Sequence, residues 1–284
     1  MRTLVGVCLL VASAAVAQNR TFVSSSGLDT NPCSRTQPCR GFNAAIAVVA
    51  TDGEVVVLDS AGYGPATITK GVSVIAPLGV YAGITVTTND GFFLNTAGGI
   101  INLKGLSFTG LGGNFGINQV GTPAQVNIDS CLFSNFNNSG GGVNVTGTKV
   151  TVRDSEFRNN STGLGASNTI SIDHCRFDYQ GTAIGTTDSH VAIRDSVFFG
   201  GTSGVLVLAL NSGAFVTVEN CFFSNMSVGI TASSGANPAR VRLSGTTMVD
   251  MTTAMSGSQF VSFGNNRFDG NGTDGTFSST LALK

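Results

Sequence analysis

Apolar and polar residues alternate along most of the chain, and one eight-residue form of this alternation recurs. The form is apolar, polar, apolar, variable, turn-former, small or Cys, variable, Phe. Its clearest copies are INLKGLSF (101–108), VNIDSCLF (126–133), VTVRDSEF (150–157), ISIDHCRF (170–177), VAIRDSVF (191–198) and VTVENCFF (216–223), followed by the weaker VRLSGTTM (241–248) and VSFGNNRF (261–268). Copies start 20 to 25 residues apart. Period-two alternation predicts strands, and a repeat of this length predicts a solenoid.

A second motif, a small residue followed by an apolar one, lies between these copies. It occurs at 116–117, 142–143, 163–164, 183–184, 204–205, 229–230 and 254–255. Each coil therefore has at least two short strands, which pair with their equivalents when coils stack at the strand spacing of about 4.8 Å. Leucine-rich repeats are excluded because their L-x-x-L-x-L-x-x-N frame is missing. Propellers are excluded because a blade needs about 40 residues, which is longer than this repeat. We predict an all-β, right-handed parallel β-helix solenoid of about ten coils.

The ends of the chain predict a signal peptide and two caps. Arg2, an apolar run over 4–16 and Ala15-Val16-Ala17 form a secretory signal at 1–17, with an uncleaved anchor as the alternative. Residues 18–284 then form one domain: a cap region over 18–52, coils over 53–268 and a C-terminal cap over 269–284. Within the first cap, 41–50 has a helical apolar face, which predicts a short capping helix. The mature chain is expected to be secreted or periplasmic and to lack a membrane span.

Charge and cysteine content narrow the class of partner. Removing Arg2 leaves 14 basic residues (15 − 1) against 16 acidic ones, which argues against nucleic-acid binding.

Cys33 and Cys39 bracket a short loop, which favours a disulfide over a metal site. Cys131, Cys175 and Cys221 share one small, apolar column on alternate coils. They are predicted to be buried free thiols, because about 9.6 Å separates alternate strands.

Two further columns follow from aligning the repeats. The final Phe column is predicted to form an inward aromatic stack, with an exposed sugar-binding strip as the alternative. The fourth position is outward, alternates in charge and consists of Lys104, Asp129, Arg153, Asp173, Arg194 and Glu219. It is interpreted as a ladder of neighbouring opposite charges. The alternative is a glycan-binding surface, for which Asp129, Arg153 and Glu219 are the candidate binding residues.

The opening segment carries a family resemblance. It reads FVSSSGLDTNP (22–32), PCRGF (38–42), AAI (44–46), GEVVV (53–57) and GY (62–63). With the repeats, it resembles the pectin-lyase-like superfamily of right-handed parallel β-helices, in its secreted bacterial branch. The resemblance implies the fold over nearly all of the mature chain. It implies little about activity, because the superfamily includes lyases, hydrolases, tailspikes and adhesins.

Enzyme motifs of this superfamily are incomplete in the sequence. Ile172-Asp173-His174 is similar to the W-I-D-H segment of pectate lyases, but Ser171 replaces Trp, and R-x-P-x-x-R is missing. The D-D and G-H-G segments of polygalacturonase-like enzymes are missing as well. His174 and His190 are interpreted as turn or surface residues.

The leading hypothesis for function is therefore a secreted, non-catalytic surface module that binds carbohydrate or has a structural role. The alternative is a polysaccharide lyase or glycoside hydrolase acting on an acidic polysaccharide such as pectin, with Asp173, His174 and Arg194 as catalytic candidates. No metal site or cofactor is predicted, apart from Ca²⁺ in the case of a lyase. The expected partner is a polysaccharide or cell-surface glycan, and the oligomeric state is left open.

Overall fold

The chain winds into a right-handed parallel β-solenoid, as the repeat predicted. The computed structural model describes residues 18–138, 140–257 and 259–282. The predicted signal peptide at 1–17 lies outside the described residues. The solenoid has about nine turns, slightly fewer than the ten expected. Helix α1 (Phe42–Val48) lies within the predicted helical segment, and its buried Phe42, Ala45 and Ile46 face the core.

The strands are short except where three of them run continuously through corners. In chain order they are β1 (Gln18–Val23), β2 (Val49–Val57), β3 (Ala61–Gly62), β4 (Ala66–Ile68), β5 (Val72–Ile75), β6 (Ala82–Val86), β7 (Asp90–Leu94), β8 (Ile100–Lys104), β9 (Leu106–Gly110), β10 (Phe115–Gln119), β11 (Gln125–Asp129), β12 (Leu132–Ser134), β13 (Gly141–Val145) and β14 (Lys149–Arg153). They continue as β15 (Glu156–Arg158), β16 (Thr162–Asp173), β17 (Arg176–Arg194), β18 (Val197–Ala209), β19 (Ala214–Glu219), β20 (Phe222–Ser224), β21 (Val228–Ser234), β22 (Ala239–Ser244), β23 (Thr247–Val249), β24 (Thr253–Gly257), β25 (Phe260–Ser262), β26 (Arg267–Asp269) and β27 (Ser279–Thr280).

Parallel pairing between equivalent strands of successive coils builds three faces. Face 1 contains β1, β2, β5, β8, β11, β14, the ends of β16 and β17, β19, β22, β25 and β27. Face 2 contains β3, β6, β9, β12, β15, the starts of β17 and β18, β20, β23 and β26. Face 3 contains β4, β7, β10, β13, the remaining parts of β16, β17 and β18, β21 and β24.

The predicted Phe column forms the centre of the core. From Phe108 to Phe223 the rings stack with centroids 4.3–5.0 Å apart and planes within 15° of parallel. These side chains are fully buried, and Met248 extends the column. Partly buried Phe268 packs against Phe277 of the C-terminal segment at 5.8 Å. The prediction of an inward stack is confirmed, and this column is not an exposed sugar-binding strip.

One-residue corners explain the turn-former position of the repeat. Face 1 meets face 2 at residues in the left-handed backbone region, with φ between 48° and 54°: Ser130, Asp154, His174, Asp195 and Asn220. Short polar side chains tolerate this region because they can hydrogen-bond locally. A second column of positive φ follows the face 2 strands and contains Asn135, Asn159, Tyr179, Asn225 and Asp250. The corners therefore select Asn, Asp, Ser and Gly, with His174 and Tyr179 as departures.

The predicted buried thiols are confirmed in the column beside the Phe stack. Cys131, Cys175 and Cys221 are free and buried. Burial raises the pKa of each thiol to about 12. The alternating Ser residues have a structural role, because the Ser155 hydroxyl accepts the backbone N–H of Cys131 at 3.1 Å. These cysteines are core residues without thiolate character at neutral pH.

The N-terminal end is closed by covalent and packing contacts. The predicted Cys33–Cys39 disulfide is present, with a Cα–Cα distance of 4.6 Å. Phe42 of α1 contacts Phe92 edge to face at 5.5 Å. A disulfide is typical of proteins that fold outside the cytosol. Among the residues described, no helix has the length and hydropathy needed to cross a membrane.

Candidate functional site

The outward side of face 1 carries a hydrogen-bonded polar row along the solenoid. Asn102 donates its amide N–H to the Ser73 hydroxyl at 3.0 Å, and Asn127 donates to the Asn102 carbonyl oxygen at 2.8 Å. Gln125 donates to Asn127 at 2.7 Å. The side chains meet because Ser73, Asn102 and Asn127 occupy equivalent positions of paired strands. Each amide is thereby held in one orientation and keeps an unused donor and acceptor position.

Beside this amide row runs the predicted charge column. Asp129 pairs in register with Lys104 on one side and Arg153 on the other. Its carboxylate lies 3.2 Å from the Lys104 ammonium and 3.8 Å from the Arg153 guanidinium. Desolvation by burial raises the pKa of Asp129, but hydrogen bonds from Ser130 and Lys104, and the charges of Lys104 and Arg153, lower it below its ordinary value. Asp129 is therefore an ionised, paired carboxylate at neutral pH.

The amide row and the paired charges line one cleft. Its volume is about 330 Å³, and its polar lining includes Ser73, Asn102, Asn127, Lys104, Asp129 and Arg153. We call this surface the face 1 cleft. It contains the predicted binding residues Asp129 and Arg153, whereas Glu219 lies farther along the same column and does not line it. Sequence reasoning missed the amide row, although Asn102 and Asn127 stand at the same outward position of two consecutive repeats.

The second half of the charge column has the same register and a different contact pattern. Arg153 pairs with Asp173, Asp173 with Arg194, and Arg194 with Glu219 as backbone neighbours. Over residues 18–138, 140–257 and 259–282, none of these three steps brings a guanidinium nitrogen within 4.0 Å of a carboxylate oxygen. The register of the ladder is therefore confirmed, and within the described ranges its ion pairs lie around Asp129.

The catalytic candidates come together in part. His174 Nδ1 lies 3.0 Å from Asp173 Oδ1, and Asp195 joins them in a cluster whose ligand atoms all lie within 4.8 Å. Arg194 is the backbone neighbour of Asp173 and makes no ion pair with it in the described part of the chain. None of the cluster residues is buried. Asp195 was missed, although it occupies the same corner position as His174, one coil later.

Two other polar groups have structural roles. Asp188 accepts backbone N–H bonds from Leu210, Asn211 and Ser212 and so fixes the corner of the next coil. The ring of His190 stacks on Phe215, with centroids 5.3 Å apart. The prediction of a surface position for His190 agrees with its exposure on face 1.

The opening segment also has a structural explanation. Asp29 accepts the backbone N–H groups of Arg40 and Gly41, each at 2.8 Å, immediately before α1. Asp59 accepts hydrogen bonds from Ser24, Ser25 and the Tyr63 hydroxyl. These contacts fasten the helix and the disulfide loop to the first coils. The segment that carried the family resemblance therefore builds the N-terminal cap.

Comparisons with known proteins agree with this architecture. Residues 90–248, more than half of the chain, match the family model described as a right handed beta helix region. The chain belongs to this family. It is a right-handed β-helix, the fold that the resemblance of the opening segment implied. No curated protein sequence matches it.

Two solved structures are similar to this chain. The pectate lyase Pel9A matches with a TM-score of 0.60 and 15% sequence identity, covering 94% of this chain and 80% of that one. A GH136 lacto-N-biosidase from Eubacterium ramulus matches with a TM-score of 0.46 and 9% identity, covering 93% of this chain and 68% of that one. At these identities the likeness concerns the fold alone.

Proposed function

We propose that this β-helix is a secreted module that binds an extended polysaccharide in the face 1 cleft without cleaving it. The observation that carries the proposal is the amide row of Asn102 and Asn127 beside the paired carboxylate of Asp129. Amides repeated at the strand spacing offer donors and acceptors in a straight row, which suits the repeated hydroxyl groups of a sugar chain. A rigid solenoid presents this row without an ordering cost on binding.

The charge pattern favours binding over cleavage. Glycosidases use a protonated carboxylic acid together with a second carboxylate. Asp129 is ionised and held by two cations, so it is poorly suited to donate a proton. Asp173, the next carboxylate of the column, lies two coils away, with Arg153 between the two. The cleft therefore offers hydrogen bonds and fixed charges rather than an acid–base pair.

Affinity electrophoresis of the mature protein through gels containing acidic or neutral polysaccharides tests the proposal. The Asn102→Ala, Asn127→Ala double variant should bind a retained polysaccharide at least tenfold more weakly, because each lost amide removes hydrogen bonds worth about 0.5–1.5 kcal/mol. The matched control is Asn118→Ala, Asn144→Ala, which removes a similar amide row from face 3, where Asn144 donates to Asn118 at 2.9 Å. Equal retention of the two double variants would contradict the proposal.

A lyase or hydrolase remains the second candidate, favoured by the convergence of Asp173, His174 and Asp195 within 4.8 Å. The fold of the pectate lyase Pel9A, shared at a TM-score of 0.60, supports this candidate at the level of architecture only. Incubation with acidic polysaccharides, with and without Ca²⁺, distinguishes the two candidates. Unsaturated products or new reducing ends that disappear in Asp173→Asn would assign catalysis to this cluster and overturn the non-catalytic proposal.

A further inference from the structure

Three aromatic rings, two of them exposed and one half-buried, lie on face 2, on the opposite side of the corner column from the face 1 cleft. Tyr179 is 62% exposed and Phe222 is 40% exposed. Phe199 lies between them along the solenoid axis, since it is the strand neighbour of Asp178 on one side and of Ser224 on the other. We call Tyr179, Phe199 and Phe222, with Val197 beside them, the face 2 platform. It is independent of the cleft used in the proposed function.

The backbone at Tyr179 is strained. Its φ is 53°, whereas the equivalent corners of other coils hold Asn135, Asn159, Asn225 and Asp250. Asn and Asp tolerate this left-handed region, and a bulky aromatic residue does not. Strain of this kind concentrates at ligand-binding positions, where the side chain is kept for its function rather than for the fold.

The next coil is shaped to receive the Tyr179 ring. A Cβ atom at Gly200, the equivalent corner residue, would lie 2.7 Å from Cδ1 of Tyr179. The ring therefore lies over the glycine, and it meets Phe199 edge to face at a centroid distance of 5.6 Å. Its position is fixed by these contacts, while much of its surface stays open to solvent.

A charged pair borders the platform on one side. Arg176 donates its Nε–H to Asp178 at 2.6 Å, one coil before Phe199. On the other side, Thr247 and Val249 of β23 follow the coil of Phe222, and Arg267 and Asp269 of β26 come one coil later. The outward side of face 2 thus changes from charged to aromatic, continues with Thr and Val, and is charged again two coils beyond Phe222.

From this arrangement we infer that the face 2 platform is a second binding site, whose ligand is a neutral polysaccharide built of hexopyranose units. Aromatic faces carry partial negative charge, which complements the slightly positive C–H groups on the flat side of a pyranose ring. The sugar hydroxyl groups at the rim meet the Arg176–Asp178 pair, which offers both donors and acceptors. Rings on three successive coils extend over about 9.6 Å, enough to contact more than one sugar unit.

The deciding variant is Tyr179→Asn, tested by affinity electrophoresis in mixed-linkage β-glucan, xyloglucan and glucomannan. Asn is the residue found at this corner in neighbouring coils, so the variant should keep or raise the thermal unfolding midpoint while retention falls at least tenfold. Tyr81→Asn, at a tyrosine 55% exposed in an N-terminal coil, is the matched control and should retain wild-type binding. Retention equal to wild type in Tyr179→Asn, or no retention of the wild type by any of the three polysaccharides, would overturn the inference.

Three further measurements separate this site from others. The cleft variant Asn102→Ala, Asn127→Ala should keep the Tyr179-dependent retention; if it alone removes all retention, the cleft is the sole site and the platform inference fails. The chain contains no Trp and three Tyr, so tyrosine emission in a Tyr81→Phe background reports on Tyr179 above the buried Tyr63. A soluble neutral oligosaccharide should change this emission. A dimer in sedimentation experiments that Tyr179→Asn dissociates would instead assign the platform to self-association.

Discussion

The Phe stack inside the solenoid and the charge column outside it run over the same coils with the same register. Inside, every step from Phe108 to Phe223 brings rings within 5.0 Å. Outside, in the part of the chain that the structure describes, two of the five steps between Lys104 and Glu219 form an ion pair. The packed Phe side chains inside repeat the spacing of the backbone, because their neighbours leave them one conformation. The long charged side chains in solvent have several conformations, so their contacts differ from coil to coil. The shared register therefore determines how the Phe rings pack inside, whereas outside it only brings opposite charges near one another.

The largest expected effect comes from breaking the stack at its centre. Phe157→Ala removes a ring that contacts Phe133 at 5.0 Å and Phe177 at 4.7 Å. The lost burial and the resulting cavity should lower the free energy of unfolding by about 3–5 kcal/mol. Chemical denaturation followed by circular dichroism measures the loss. The matched control is Phe222→Ala, at an exposed Phe of face 2. An equal decrease in the free energy of unfolding in both variants would show that the inner stack contributes no more to stability than an exposed Phe.

A smaller effect is expected from the second inner column. Ser155→Ala leaves the buried backbone N–H of Cys131 without its acceptor, which should cost about 1–3 kcal/mol. Ser134→Ala, which removes a longer contact of 3.4 Å to the Phe108 carbonyl in a partly buried position, should cost less. Chemical denaturation midpoints of the two variants measure which substitution destabilises the fold more. If Ser155→Ala is no more destabilised than Ser134→Ala, the hydroxyl is a space-filling group only.

The comparison also shows why the fold could be predicted from the sequence. In a parallel β-helix, equivalent residues of successive coils lie next to one another, so aligning the repeats is the same operation as assigning the strand register. Phe157 beside Phe177 and Asp129 beside Arg153 follow directly from the spacing of the copies. The capping helix was predictable for a similar reason, because Phe42, Ala45 and Ile46 share a helical face.

The candidate sites were less predictable because they depend on the direction of individual side chains. Asp195 is the neighbour of His174 in the corner column of the repeat, but the convergence of their side chains with Asp173 depends on side-chain conformations that the repeat does not encode. The Tyr179 ring settles over Gly200 because that coil lacks a side chain there, a relation visible only once the two corners are aligned. Ion pairing around Asp129, but not around Arg194, depends on side-chain conformations in solvent. Repeats therefore specify columns, and local conformation specifies which members of a column act together.

The smallest expected effect tests the ion-paired part of the charge column. Asp129→Asn should lower the free energy of unfolding at pH 7 by at most about 1 kcal/mol, because its partners are exposed. The pKa of Asp129 is lower in the folded chain than in the unfolded one. Its contribution is therefore present above the unfolded pKa of about 3.9 and is lost as the pH falls through the folded pKa. The stabilities of wild type and variant should converge in acid.

Glu219→Gln is the matched control, because Glu219 stands in the same column without an ion pair in the described ranges. The unfolding midpoint of Glu219→Gln should equal that of the wild type at pH 7 and in acid. Raising the salt concentration to 1 M should weaken the Asp129 effect and leave Glu219→Gln unchanged, since screening acts on the exposed pair. Equal destabilisation by both variants at pH 7 would mean that the column acts through its summed charge. In that case, the distinction between its paired and unpaired halves would have no energetic meaning.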